Sequence, residues 1–130
     1  GRLGALLKFV RDVMHVGEAI PVAPLGTLMS QAIVEMSAKG FGCVGIVDTD
    51  GRLAGIITDG DLRRHMRLDL LQARVEDVMT RSPKTVRSDQ LVSEVLEFLN
   101  STKITAVFVV DASKPIGVVH LHDLLRIGAA

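Results

Sequence analysis

The sequence predicts an α/β chain in which one helix–strand–strand–helix unit, with a short extra strand, is written twice. Three observations carry this. The corner Gly55-Ile56-Ile57-Thr58-Asp59-Gly60-Asp61-Leu62-Arg63-Arg64 is answered by Gly117-Val118-Val119-His120-Leu121-His122-Asp123-Leu124-Leu125-Arg126. The lead-in Val10-Arg11-Asp12-Val13-Met14 is restated as Val75-Glu76-Asp77-Val78-Met79. Two continuous apolar runs, Cys43–Val47 and Ala106–Val110, are each followed by turn residues and a second apolar run. The period is roughly 62 to 65 residues. Strands apolar along their whole length need both faces covered, and ~60 residues form only a marginal domain alone. The two units are therefore expected to pack about a pseudo-two-fold axis.

Composition limits the function. The 130 residues are 48% hydrophobic, yet no apolar run approaches the ~20 residues that span a bilayer. Formal net charge is zero, which removes the electrostatic case for nucleic acid or an anionic membrane. Phe9, Phe41, Phe98 and Phe108 are the only aromatic residues, too few for a base-stacking platform. The single cysteine, Cys43, forms no internal disulfide and fits a reducing compartment, so a soluble cytoplasmic protein is expected. No signal peptide is visible, and the missing initiator Met predicts a longer chain upstream.

In order, residues 1–9 read as a connector with an apolar helical stretch over Leu3–Val10. Residues 10–67 form the first repeat, 68–74 a linker and 75–130 the second repeat. In the first repeat, Arg11–Met14 make a single turn, Gly17, Pro21 and Pro24 punctuate a loop, and Ile20-Pro21-Val22 is a short extended piece. Thr27 is the expected N-cap of a helix through Lys39, with Leu28, Ala32, Val34 or Glu35, and Met36 on its apolar face, and Gly40 as its stop. Asp48–Gly51 turns the hairpin between Cys43–Val47 and Leu53–Ile57. Thr58 then opens a helix to about Arg67, whose Arg63, Arg64 and Arg67 read as a solvated basic face. In the second repeat Ser88 is the expected cap of a helix with Leu91, Val95, Phe98 and Leu99 inward. Asp111–Pro115 is its hairpin turn, and a closing helix starts at Leu121.

The paired lead-ins, the hairpins ending in Val47-Asp48 and Val110-Asp111, and the two corners resemble the cystathionine-β-synthase (CBS) domain in tandem, a Bateman module. The resemblance covers nearly the whole chain. More narrowly, Val10–His15, Thr58–Arg64, Val78-Met79-Thr80 and Val119–Arg126 are similar to the C-terminal region of the D-arabinose 5-phosphate isomerases. Those enzymes feed the Kdo branch of lipopolysaccharide synthesis and carry a sugar-phosphate isomerase (SIS) domain ahead of the CBS pair. This likeness implies a regulatory module that senses a nucleotide or nucleotide-sugar such as CMP-Kdo. It also implies an upstream isomerase domain as partner and assembly as a homodimer or tetramer.

Two readings of Thr58 and Asp61 stand side by side. Thr-x-x-Asp at a helix start is a capping box that needs no ligand. In the CBS likeness, Asp61 takes the hydroxyls of a ribose and Thr58 a phosphate. The spacing by itself favours the cap; two copies and the likeness shift the balance toward a ligand. His120 and Asp123 depart from the pattern. His is a poor N-cap, and an imidazole with a pKa near ~6.5 can donate to an anionic group.

Gly42, Cys43 and Val44, with Thr105 and Ala106, begin the hairpins and read either as strand entries or as a small-residue wall against a base or sugar. The Cys43 thiol itself reads as core. By analogy Ile20, Pro21 and Lys84 frame the other side. No nucleophile–base pair, Walker loop or metal-ligand spacing stands out, so no catalytic residue, metal or resident cofactor is assigned. A structural module that binds nothing and braces or dimerises an enzyme is the competing expectation.

Overall fold

Alternation of helix-period and strand-length apolar segments produces the expected mixed architecture in the computed structural model, which describes residues 7–128. The chain condenses into two compact units. One is Pro21–Pro83; the other joins the stretch up to Ile20 with residues from Lys84 onward. Each unit therefore holds the hairpin of one repeat and the lead-in of the other.

In Pro21–Pro83 the elements are β1 (Val22–Pro24), α1 (Met29–Lys39), β2 (Cys43–Val47), β3 (Leu53–Thr58), α2 (Asp59–Arg64) and β4 (Thr80–Arg81). Their sheet runs β1-β2-β3-β4, with β1 parallel to β2 and the other pairs antiparallel. Met29, Ala32 and Met36, spaced to share one helix face, pack α1 into a core with Val44, Ile46, Ile57, Leu70, Val75, Val78 and Met79. Of the two alternatives Val34 and Glu35, Val34 lies off that face and is 68% exposed, while Glu35 is half-buried. Thr27 is not the cap either. Its Oγ1 donates to the Pro24 carbonyl at 2.6 Å, and Leu28 precedes the helix. The first helical donor is satisfied by the linker instead, where Met29 N–H meets the Ala73 carbonyl at 2.9 Å. Gly40 ends the helix as expected, at φ +81° with its N–H on the Met36 carbonyl. α2 stops at Arg64, three residues earlier than predicted, and the chain turns so that Leu70 enters the core.

The other unit contains β5 (Thr85–Val86), α3 (Val92–Thr102), β6 (Ala106–Asp111), β7 (Lys114–His120) and α4 (Leu121–Arg126). The sheet order is β5-β6-β7, again one parallel and one antiparallel pair. The buried face of α3 is Val92, Val95, Leu96 and Leu99, with Phe98 only partly covered. Ser88 does not cap it. The Glu94 carboxylate returns to the Leu91 N–H at 3.1 Å, while the Ser88 carbonyl accepts from Arg11 N–H. The hairpin turn narrows to Ala112 and Ser113, both at positive φ, because Asp111 and Lys114 already pair. Of the predicted connector, residues 1–6 lie outside the described residues. Phe9 is extended rather than helical and bridges Leu91, and Val10–Asp12 form a single 3-10 turn.

The two lead-ins dock in the same way. Thr80 pairs with Ile56, and His15 pairs with Val118. At each place the preceding methionine crosses a glycine. A Cβ on Gly55 would fall 2.5 Å from the Met79 Sδ, and one on Gly117 would fall 2.5 Å from the Met14 Sδ. Glycine occurs twice at this position because the crossing chain leaves no room for a side chain.

Candidate ligand-binding corners

Where β3 runs into α2, both halves of a capping box are present. Thr58 N–H donates to Asp61 Oδ2 at 2.9 Å, and Asp61 N–H reaches Thr58 Oγ1 at 3.4 Å. The Thr58 hydroxyl also donates to Oδ2 at 3.1 Å. The other carboxylate oxygen, Oδ1, accepts from Arg64 Nη2 at 2.6 Å and from Thr80 Oγ1 at 2.8 Å. Asp61 is the buried charged residue of the described core, its side chain 3% exposed. Burial pushes its carboxyl pKa up, but hydrogen bonds from Thr58, Thr80 and Arg64 outweigh burial and hold it below the ordinary value. Arg64, read from the sequence as a solvated face, is an ion-pair partner of that carboxylate.

At the end of β7, His120 N–H donates to Asp123 Oδ2 at 2.9 Å, and His122 N–H donates to His120 Nδ1 at 3.0 Å. The imidazole thus caps α4, contrary to the expectation that His would serve poorly. Its Nδ1 can accept only when the ring is neutral. Burial, followed by the neighbouring His122, pulls the His120 pKa down and favours that form. His15 Nε2 lies 3.0 Å from Asp123 Oδ1, and Arg126 Nη1 is 3.8 Å from the same oxygen. Burial raises the Asp123 pKa, but the bonds from His15 and His120 N–H, with the charges of His15 and Arg126, bring it below its ordinary value.

The remaining predicted residues divide between the units. Cys43 pairs with Thr58 across β2 and β3, and Val44 is fully buried. The Cys43 thiol is pushed up to about 12, mainly by burial and then by the Asp59 charge, so it stays neutral and acts as core. Gly42, at φ +73°, approaches the Asp59 carboxylate and borders an open pocket of about 230 Å³ between Ile33, Met36 and Leu62. Pro21 is buried, and its carbonyl accepts from Gly45 N–H at 2.8 Å. In the other unit, Ala106 pairs with His120, and the Thr105 carbonyl takes the Leu121 N–H at 2.7 Å. Ile20 is half-buried and Lys84 exposed in that same unit. Sequence reasoning did not assign Thr80 or His15 to the corners. The signal was present, since aligning Val75–Met79 with Val10–Met14 puts Thr80 opposite His15.

Two hairpin-to-helix corners, each with an aspartate turned back onto the strand end, define a tandem-repeat α/β fold. Residues 10–68 and 75–130 both match the CBS domain, and the chain belongs to that family. It is 48% identical over 132 residues to the Arabinose 5-phosphate isomerase KdsD of Pseudomonas aeruginosa, covering 98% of this chain and 40% of that protein. Among solved structures, the CBS domain pair of protein MJ0100, in complex with 5-methylthioadenosine and S-adenosyl-L-methionine, superposes with a TM-score of 0.81 at 25% identity, covering 93% of this chain and 95% of that one. CBSX2 in complex with AMP gives a TM-score of 0.78 at 26% identity, covering 91% of this chain and 93% of that one. Among the described residues, no helix is long and apolar enough to cross a membrane.

Proposed function

We propose that this chain is the regulatory CBS pair of an arabinose 5-phosphate isomerase, sensing a nucleotide or nucleotide-sugar such as CMP-Kdo. The observation that carries the reading is the repeated aspartate corner. Asp61 and Asp123 are carboxylates held with pKa values below their ordinary range in the first turn of the helix after the strand, the kind of group that accepts the hydroxyls of a ribose. Two CBS structures of the same fold hold adenosine-type ligands, which supports a nucleoside as the recognised part. The extended match to the KdsD isomerase supports an attached catalytic domain, since the chain spans only 40% of that relative's length. Regulation then follows if the ligand binds one conformation of the module more tightly than another. A homodimer or tetramer is part of the proposal, with the half-buried Ile33 and Leu62 beside exposed Val34 as the apolar surface on offer.

One observation favours the alternative, a brace that binds nothing: all the acceptor capacity of Asp61 is already taken by Thr58, Arg64 and Thr80. Thermal unfolding with CMP-Kdo, CMP, AMP, ATP, S-adenosylmethionine and arabinose 5-phosphate separates the two. A ligand at ~100 times its Kd adds about 2.7 kcal/mol and raises Tm by several degrees. A shift confined to one nucleotide class supports the sensor and names its signal; a flat panel supports the brace.

A further inference from the structure

We infer that His15 is a clasp that couples ligand occupancy at Asp123 to the lead-in segment Phe9–His15. The inference rests on the sensor reading and names how that site would be regulated. Near its start the segment is held by the Phe9–Leu91 bridge and by Val10 and Arg11 N–H on the Gln90 and Ser88 carbonyls, and its His15 end by three further contacts. The His15 and Val118 backbones exchange both hydrogen bonds, at 2.9 and 3.0 Å. The Met14 side chain lies over Gly117. The His15 imidazole reaches Asp123 Oδ1 at 3.0 Å. Only the last contact uses a group that a ligand would also need.

A vicinal diol bridges a carboxylate by donating to both oxygens. Asp123 Oδ2 accepts from the backbone of His120, and Oδ1 accepts from the His15 ring. A ribose hydroxyl donating to Asp123 Oδ1 therefore meets the His15 ring at that oxygen and competes with it. That exchange is open to the imidazole, because the His15 side chain is 38% exposed and can turn outward. It is closed at the other corner. There, Thr58, Arg64 and Thr80 all donate to Asp61, so at least two donors would have to leave one buried carboxylate. With His15 after the first lead-in where the second has Thr80, Asp123 has one side-chain hydrogen-bond partner, beside the longer 3.8 Å pair with Arg126, where Asp61 has three. When His15 departs, the lead-in loses a side-chain attachment at its His15 end, and ligand binding loosens that end of the segment.

The test uses cytidine and adenosine 5′-monophosphates as probes on the 130-residue chain, with the 2′-deoxy forms as controls. Two variants accompany it. His15→Ala removes the clasp; His15→Gln keeps a donor for Oδ1. Calorimetry is expected to show His15→Ala binding a ribonucleotide roughly two- to tenfold tighter than the wild type, the worth of one hydrogen bond, with His15→Gln near wild type. The 2′-deoxy forms bind more weakly throughout. Amide hydrogen exchange at His15 and Val118 is expected to quicken on adding the ribonucleotide to the wild type. Unchanged or weaker binding by His15→Ala overturns the clasp while leaving the sensor standing, as does slowed exchange on ligand addition. Binding by neither wild type nor variant overturns the sensor reading and the coupling with it.

Discussion

His15 Nε2 stands 3.0 Å from Asp123 Oδ1, the place that Thr80 Oγ1 takes 2.8 Å from Asp61 Oδ1 in the other unit. Each aspartate is tied to its own helix start by a local capping bond. Each is also tied to the lead-in of the other repeat by a bond that crosses the chain. The helix cap and the proposed ligand corner are thus the same atoms, which is why neither reading of the sequence displaced the other. A carboxylate that stabilises its helix in the absence of ligand can also be contested by one.

Asp61 is expected to matter for stability whether or not its corner binds anything. Asp61→Ala removes a cap and strands the Thr80 hydroxyl and Arg64 guanidinium without their acceptor. The loss should be about 2 kcal/mol, read as a fall in the urea midpoint at constant m-value. A loss under about 0.5 kcal/mol would show that solvent replaces those bonds at no cost.

At Gly55 and Gly117, alanine should be destabilising although neither backbone needs a positive φ. The new Cβ on Gly55 would sit 2.5 Å from the Met79 sulfur and 3.0 Å from the Thr80 carbonyl oxygen. On Gly117 the corresponding carbonyl, that of His15, is 3.2 Å away. The methionine end can swing aside, but the carbonyl belongs to the paired backbone. Overpacking of this kind costs about 1–3 kcal/mol. Thermal unfolding should rank Gly55→Ala below Gly117→Ala, and Met79→Ala should rescue Gly55→Ala only in part.

Stability should fall in two steps as the solution is acidified. His120 has a pKa below its ordinary 6.5 in the folded chain, so the unfolded chain binds the proton first. Its contribution is complete above about pH 6.5 and is lost as the pH falls through the lower folded value. The carboxyls of Asp61 and Asp123 also lie below their ordinary 3.8, and their contributions are lost below that pH. Denaturant midpoints across pH 3 to 8 would trace both steps. His120→Asn keeps a capping side chain that does not titrate and should erase the upper step alone.

Cys43 should resist alkylation at neutral pH in the folded chain, since its pKa stands at about 12 and the side chain is buried. Iodoacetamide labelling should follow the unfolded fraction as urea is raised. Fast labelling under native conditions would place the thiol in an open site and revive its role in a ligand wall.

What could be read from the sequence was local or periodic. The double repeat, both hairpins, the Gly40 stop and the box between Thr58 and Asp61 depend on neighbours a few positions away, and all are present. Where local reasoning failed, another group had met the same demand. Thr27 and Ser88 have cap chemistry, yet Ala73 and Glu94 supply the acceptors. The first of these comes from a linker whose course no propensity describes. The site behaved likewise: Asp61 and Asp123 stood out, while Arg64 read as a solvated face and only the repeat alignment, which pairs Thr80 with His15, hinted at the other partners.

By itself the sequence determined the elements, their duplication and the two carboxylates, because hydrophobic period and capping chemistry act within a turn or a strand. The tertiary structure alone decided what holds those carboxylates. Hydrogen bonds between Thr80 and Asp61 or His15 and Asp123 arise only after each lead-in packs on the other repeat's hairpin. That packing is set by burial of Val10 with one core and of Val75, Val78 and Met79 with the other, and burial carries no sequence address.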